Sequence, residues 1–128
     1  MKTIEQTYTI NATLEKVWQA LIDPIEIDAW GAGPAKMADQ EDFEFSLWGG
    51  DIWGKNVEVE APNKLVQDWY GGNWEKPSKV TFSLSEVNGV TEVGLLHENV
   101  PDEEDGDIET GWSDYYFGEI KKYLENSS

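Results

Sequence analysis

The sequence contains no cysteine, which excludes disulfides, thiolate metal ligands and cysteine nucleophiles. It contains no arginine either, so its nine basic residues are all lysines and the best bidentate clamp for a carboxylate or phosphate is missing. His97 is the one histidine. No apolar stretch approaches the roughly 20 residues of a membrane-spanning helix. The stretch after Met1 lacks a basic segment followed by an apolar run, so no secretory signal and no membrane insertion are expected, and a cytoplasmic location is. Repeats, linkers and low-complexity blocks are missing as well, so the 128 residues are read as one domain over 1–128.

Against the nine lysines stand 26 acidic residues, giving a net charge of −17. Such a field repels phosphate backbones and anionic lipid, so nucleic acid is not an expected partner. A chaperone or another basic protein surface would be attracted, although solubility is the simpler reading of the acidity. Seven Trp, five Tyr and four Phe are a heavy aromatic load, more than a compact core of this size needs, and some are expected to line a cavity.

Thr3 to Ile10 alternates in polarity and reads as a half-buried strand. Thr13 offers an N-cap to a helix whose Leu14, Val17, Trp18 and Leu21 form one stripe. Asp23-Pro24 ends that helix and starts a short second one, with Asp23 as cap and Pro24 at its first position. Strands follow around Phe43, Phe45 and Leu47, over Ile52 to Glu60, and over Leu65 to Tyr70. The polarity of the second of these is confused near Trp53 and Gly54, which predicts a bulge there.

Val87-Asn88-Gly89-Val90 predicts a two-residue type I′ hairpin. The register then pairs Leu84 with Val93, Phe82 with Leu95 and Val80 with His97, all on the inward face. Asn99 to Asp107 is an acidic loop, expected to gate a cavity mouth. Ile108 to Glu125 is the longest helical segment, with Ile108, Trp112, Tyr116 and Ile120 on one stripe. The expected fold class is α+β: a curved antiparallel six-stranded sheet in the order β-α-α-β-β-β-β-β-α, covered by the long C-terminal helix.

The opening helix Ala12 to Pro24, Trp30-Gly31, Gly49 to Gly54, Leu65 to Trp69, Gly111-Trp112 and the ending Ile120 to Leu124 stand in an order that resembles the START-like (SRPBCC, helix-grip) superfamily. They are similar in particular to the branch of the C-terminal domain of the activator of the 90-kDa heat-shock protein ATPase. The resemblance covers Ile4 to Glu125 and implies a sheet gripping the last helix, with a cavity between them. Relatives of this type bind lipids, aromatic metabolites or hormones, and some are cyclases. The two-domain activator carries a further N-terminal domain that 128 residues do not accommodate.

The reading is a binding domain for a small hydrophobic or aromatic molecule, with no assigned catalysis and no cofactor. The cavity candidates are Phe45, Gln67, Trp69, Phe82, Leu95 and His97 on the sheet, with Trp112 and Tyr116 on the helix. The alternatives are a chaperone-associated interaction module and, third, a cyclase- or hydrolase-like enzyme using His97. An inward histidine can orient a ligand or move a proton, but it is more often bonded to a neighbour, for which Ser78 and Asn99 share its face. No nucleophile elbow, zinc motif or phosphate loop is present. The acidic run Asp102 to Asp107 fails as a calcium loop, because Pro101 and Trp112 occupy ligand positions.

Overall fold

A computed structural model of the chain describes residues 2–72, 74–101 and 105–126, the side chains of 105–107 excepted. The elements are strand β1 (Lys2–Ile10), helices α1 (Leu14–Ile22) and α2 (Pro24–Trp30), and strands β2 (Glu44–Leu47), β3 (Ile52–Glu60), β4 (Lys64–Gly71), β5 (Ser78–Val87) and β6 (Val90–Val100). A C-terminal helical run follows as α3 (Asp105–Gly111), a π-helical turn (Trp112–Tyr116) and α4 (Phe117–Glu125). The six strands form one antiparallel sheet in the order β1-β6-β5-β4-β3-β2. This is the expected helix-grip architecture.

The local signals act where they stand. Thr13 Oγ1 accepts from the Lys16 N–H at 3.4 Å and opens α1. The Asp23 N–H closes α1 on the Gln19 carbonyl at 2.9 Å, and its carboxylate then accepts from the Ile25 N–H at 2.9 Å to open α2, with Pro24 in the first turn. Asn88 and Gly89, at φ of 54° and 81°, make the tight turn. Strands β5 and β6 pair Leu84 with Val93, Phe82 with Leu95 and Val80 with His97.

Three expectations are corrected. The bulge in β3 lies between Asn56 and Glu58, and pairing runs unbroken through Trp53 and Gly54. Polarity is confused there for a different reason. Gly54 occupies an inward position opposite Phe45 and Trp69, and a Cβ on it would collide with the Asp68 carbonyl and reach within 3.2 Å of the Phe45 ring. Only glycine permits that approach. Trp53 points outward and stacks on Tyr70, centroids 5.9 Å apart.

The acidic segment is shorter than expected, because β6 runs to Val100 and α3 begins at Asp105. Residues 102–104, on which the gating expectation rests, lie outside the described residues. The terminal helix, expected as one regular element, contains the π-helical turn. That turn holds an extra residue, so the adjacent Tyr116 and Phe117 both face the core, at 2% and 0% exposure. A Cβ at Gly118 would run into the Ser113 carbonyl oxygen that the turn brings close.

Helices α1 and α2 and the C-terminal run cover the apolar face of the sheet, and the core is continuous from Ile4 and Ile10 through Phe82 and Leu95 to Ile120 and Leu124. The last helix is tied to the edge strand. Lys121 Nζ donates to the Thr9 carbonyl at 2.7 Å, and Gln6 Nε2 donates to the Glu109 carbonyl at 3.0 Å. Among the described residues no helix is long and apolar enough to cross a membrane.

Candidate functional site

Strand β6 lies between β1 and β5, and His97, three residues before its end at Val100, pairs with Ile4 on one side and Val80 on the other. Its imidazole is fully buried. Trp112 Nε1 donates to His97 Nδ1 at 3.1 Å, so Nδ1 is an acceptor and the proton sits on Nε2. Nε2 donates to Ser78 Oγ at 2.7 Å, and the Ser78 hydroxyl donates onward to the Trp69 carbonyl at 3.1 Å. Ser78, and not Asn99, supplies the bond the histidine needs. Burial holds the His97 pKa down at about 4, because a charged ring in this setting would lose its water and meet an indole N–H donor. The direction of the bonds also shows that His97 does not activate Ser78 as a base would, since the serine proton is held by a carbonyl.

A second buried chain of hydrogen bonds starts at the indole N–H of Trp69. Trp69 Nε1 donates to Gln67 Oε1 at 2.8 Å, Gln67 Nε2 donates to Asn56 Oδ1 at 2.9 Å, and Asn56 Nδ2 donates to the carbonyls of Ala38 (2.8 Å) and Gln40 (3.0 Å). Asn56 therefore pins the segment between α2 and β2 to the sheet. Sequence reasoning missed Asn56, whose strand parity is broken by the adjoining bulge.

Aromatic rings fill the space between sheet and helix at this level. Phe82 stacks on Tyr116 (6.0 Å, 13°) and meets the Trp112 edge (5.8 Å, 77°). Trp69 lies against Trp112 at 4.8 Å and against Phe45 at 6.2 Å. Leu95 is buried in the same cluster. Phe45, Gln67, Phe82, Leu95 and His97 are thus packed behind the wall of the open space.

That open space is a half-open pocket of about 320 Å³ at the rim. Five aromatic side chains line it: Trp48 from the turn after β2, Trp69 from β4, and Trp112, Tyr115 and Tyr116 from the π-helical turn. Ile52, Ile108 and Gly111 complete the wall. Of the candidates read from the sequence, Trp69, Trp112 and Tyr116 reach this pocket. Tyr115 was missed although it stands seven residues after Ile108 and three after Trp112, on their side of the helix; it is 67% exposed at the rim. Trp48 stands in a turn, where periodicity carries no signal, and its indole N–H reaches the Gly31 carbonyl at 3.1 Å. Burial raises the Tyr116 hydroxyl pKa strongly, so the phenol stays neutral. Among the described residues no three carboxylates or histidines come together to hold a metal.

Comparison with known proteins agrees with this fold. The profile of the family described as "Activator of Hsp90 ATPase homolog 1-like protein" matches residues 11–125. An uncharacterized protein of Schizosaccharomyces pombe is 27% identical over 92% of this chain and 36% of its own length. The activator of 90 kDa heat shock protein ATPase homolog of Dictyostelium discoideum is 28% identical over 99% of this chain and 34% of its own length. This chain therefore spans about a third of the length of these curated relatives. Among solved structures, an HSP90 activator from Plasmodium falciparum superposes with a TM-score of 0.87 at 23% identity, covering 98% of this chain and 97% of that one, and shares the fold.

Proposed function

The chain belongs to the Activator of Hsp90 ATPase homolog 1-like protein family, and on that premise we propose that it is a binding domain for a small hydrophobic or aromatic molecule held at the rim between β3, β4 and the C-terminal helix. The observation that carries this reading is the half-open pocket of about 320 Å³ with five aromatic side chains in its wall. Its volume falls at the lower end of the roughly 300–1,000 Å³ of small-molecule sites. Exclusion of water from these rings supplies affinity. Catalysis is not part of the proposal, because both His97 nitrogens and the Ser78 hydroxyl are engaged within the protein.

Native mass spectrometry of the chain gently purified from its host tests the proposal, alongside titration of the protein with neutral aromatic compounds read by tryptophan emission. A stoichiometric extra mass, or saturable quenching that weakens in a Tyr115→Ser variant, is the expected result. A bare chain whose emission none of the compounds changes would end this reading.

A second reading is favoured by the family and by the charge of −17: a docking module for the 90-kDa heat-shock protein or another basic surface. Changing the acidic residues from Asp102 to Asp107 to lysine then weakens capture of the purified chaperone and flattens its salt dependence. Capture that is unchanged by those substitutions rules the reading out.

A further inference from the structure

Resting on the pocket reading, we propose that the preferred occupant is an organic cation, a molecule carrying a tertiary or quaternary ammonium group, and not a neutral or anionic one.

The argument begins with the three indoles of the wall. Each has its positively polarised N–H tied to an acceptor in the protein: Trp48 to the Gly31 carbonyl at 3.1 Å, Trp69 to Gln67 Oε1 at 2.8 Å, and Trp112 to His97 Nδ1 at 3.1 Å. None of the three therefore offers the pocket a free N–H donor. Trp69 and Trp112 reach it with little of their rings, at 5% and 3% exposure. The open aromatic surface belongs to half-buried Trp48 and exposed Tyr115, where a ring face attracts cations. No lysine lines the pocket, and none lies within two chain positions of a lining residue. Among the exposed chain neighbours of the wall are three carboxylates instead: Asp51 before Ile52, Glu109 after Ile108, and Asp114 before Tyr115.

An anion entering here would meet no basic side chain and no indole donor, within a chain of net charge −17. A neutral hydrocarbon would gain burial alone. An alkylammonium gains burial from its methyl groups, attraction to the ring faces, and the field of the surrounding carboxylates, which also concentrates cations near the mouth.

The test compares choline with its neutral carbon isostere 3,3-dimethyl-1-butanol, and benzyltrimethylammonium with neopentylbenzene. Binding is followed by indole N–H shifts in NMR spectra of the full chain. Salt is kept at roughly 0.3 M so that exposed carboxylates beyond several ångströms are screened. The expected result is that each cation binds about fivefold or more tightly than its isostere. A Tyr115→Leu change, at an exposed position where folding is not at stake, should reduce that ratio by weakening the cation more than the isostere. Equal or tighter binding of the isosteres would overturn the inference and leave the pocket reading intact. No shift with any of the four overturns the inference too; the pocket reading then stands or falls on the neutral aromatic titration.

Discussion

His97 stays neutral in the fold because its two nitrogens face opposite demands, Nδ1 accepting from Trp112 and Nε2 donating to Ser78. Protonation would place a second donor against the Trp112 N–H. The unfolded chain carries no such constraint and titrates near 6.5, against about 4 in the fold. A folded pKa below the unfolded one means that the unfolded state takes up the proton first. The stabilisation is fully present above pH 6.5 and declines as the pH falls toward 4, by about 3 kcal/mol in all. As the sole histidine it gives an isolated NMR signal, and that signal should titrate near pH 4; a midpoint above 5.5 would contradict the bonding described. Asn56 matters in another way. Its amide holds the Ala38 and Gln40 carbonyls and receives Gln67, so Asn56→Ala leaves buried groups unpaired. Urea unfolding should show a loss of about 2–3 kcal/mol, and a loss below about 0.5 kcal/mol would mean that water replaces the amide.

Elements were legible in the sequence where a local rule decides them. Thr13, Asp23-Pro24 and Asn88-Gly89 each fix a boundary through a side-chain bond or a backbone angle that few residues can satisfy, and the β5–β6 register follows from the turn. The C-terminal helix was legible as helix but not in its irregularity. Residues at i and i+4 stay on one side in an α-helix and across a single π-helical turn alike, so Trp112 and Tyr116 read the same in both. The neighbours reveal the difference, since Tyr116 and Phe117 are both buried. Pocket position was equally hidden, because spacing tells which residues face inward and not how fully Phe45, Phe82 and Leu95 fill the space behind Trp69. Gly118→Ala tests the element directly. Its new methyl meets the Ser113 carbonyl, so either the turn reverts to α geometry or the helix shifts. The expected outcome is a loss of about 2 kcal/mol or more with altered near-ultraviolet circular dichroism from the Trp112 and Tyr116 rings. Wild-type spectra and an unchanged unfolding midpoint would show that the π-helical turn is dispensable.

At the scale of the whole molecule, 26 carboxylates and nine lysines make the folded state repel itself. The described ion pairs are exposed contacts such as Lys64 with Glu58 at 3.1 Å and Lys121 with Glu125 at 2.7 Å, of a kind worth about 1 kcal/mol or less each. Screening therefore removes more repulsion than attraction. The thermal midpoint should rise as sodium chloride is added from low ionic strength to roughly 0.5 M. A midpoint that is flat or falls would mean that the few pairs outweigh the net charge.

The strand order β1-β6-β5-β4-β3-β2 also has a consequence in time. The strand made first is hydrogen-bonded to the strand made last, Ile4 to His97 across most of the chain. A ribosome adding about 5–20 residues per second leaves β1 without its partner for several seconds. During that interval the hairpins of β2 to β5 can close on their own neighbours while β1 waits, and only the arrival of β6 completes the sheet and gives the last helix a surface to settle on. Pulse-labelling of nascent chains should accordingly find the amides of β1 among the last to be protected.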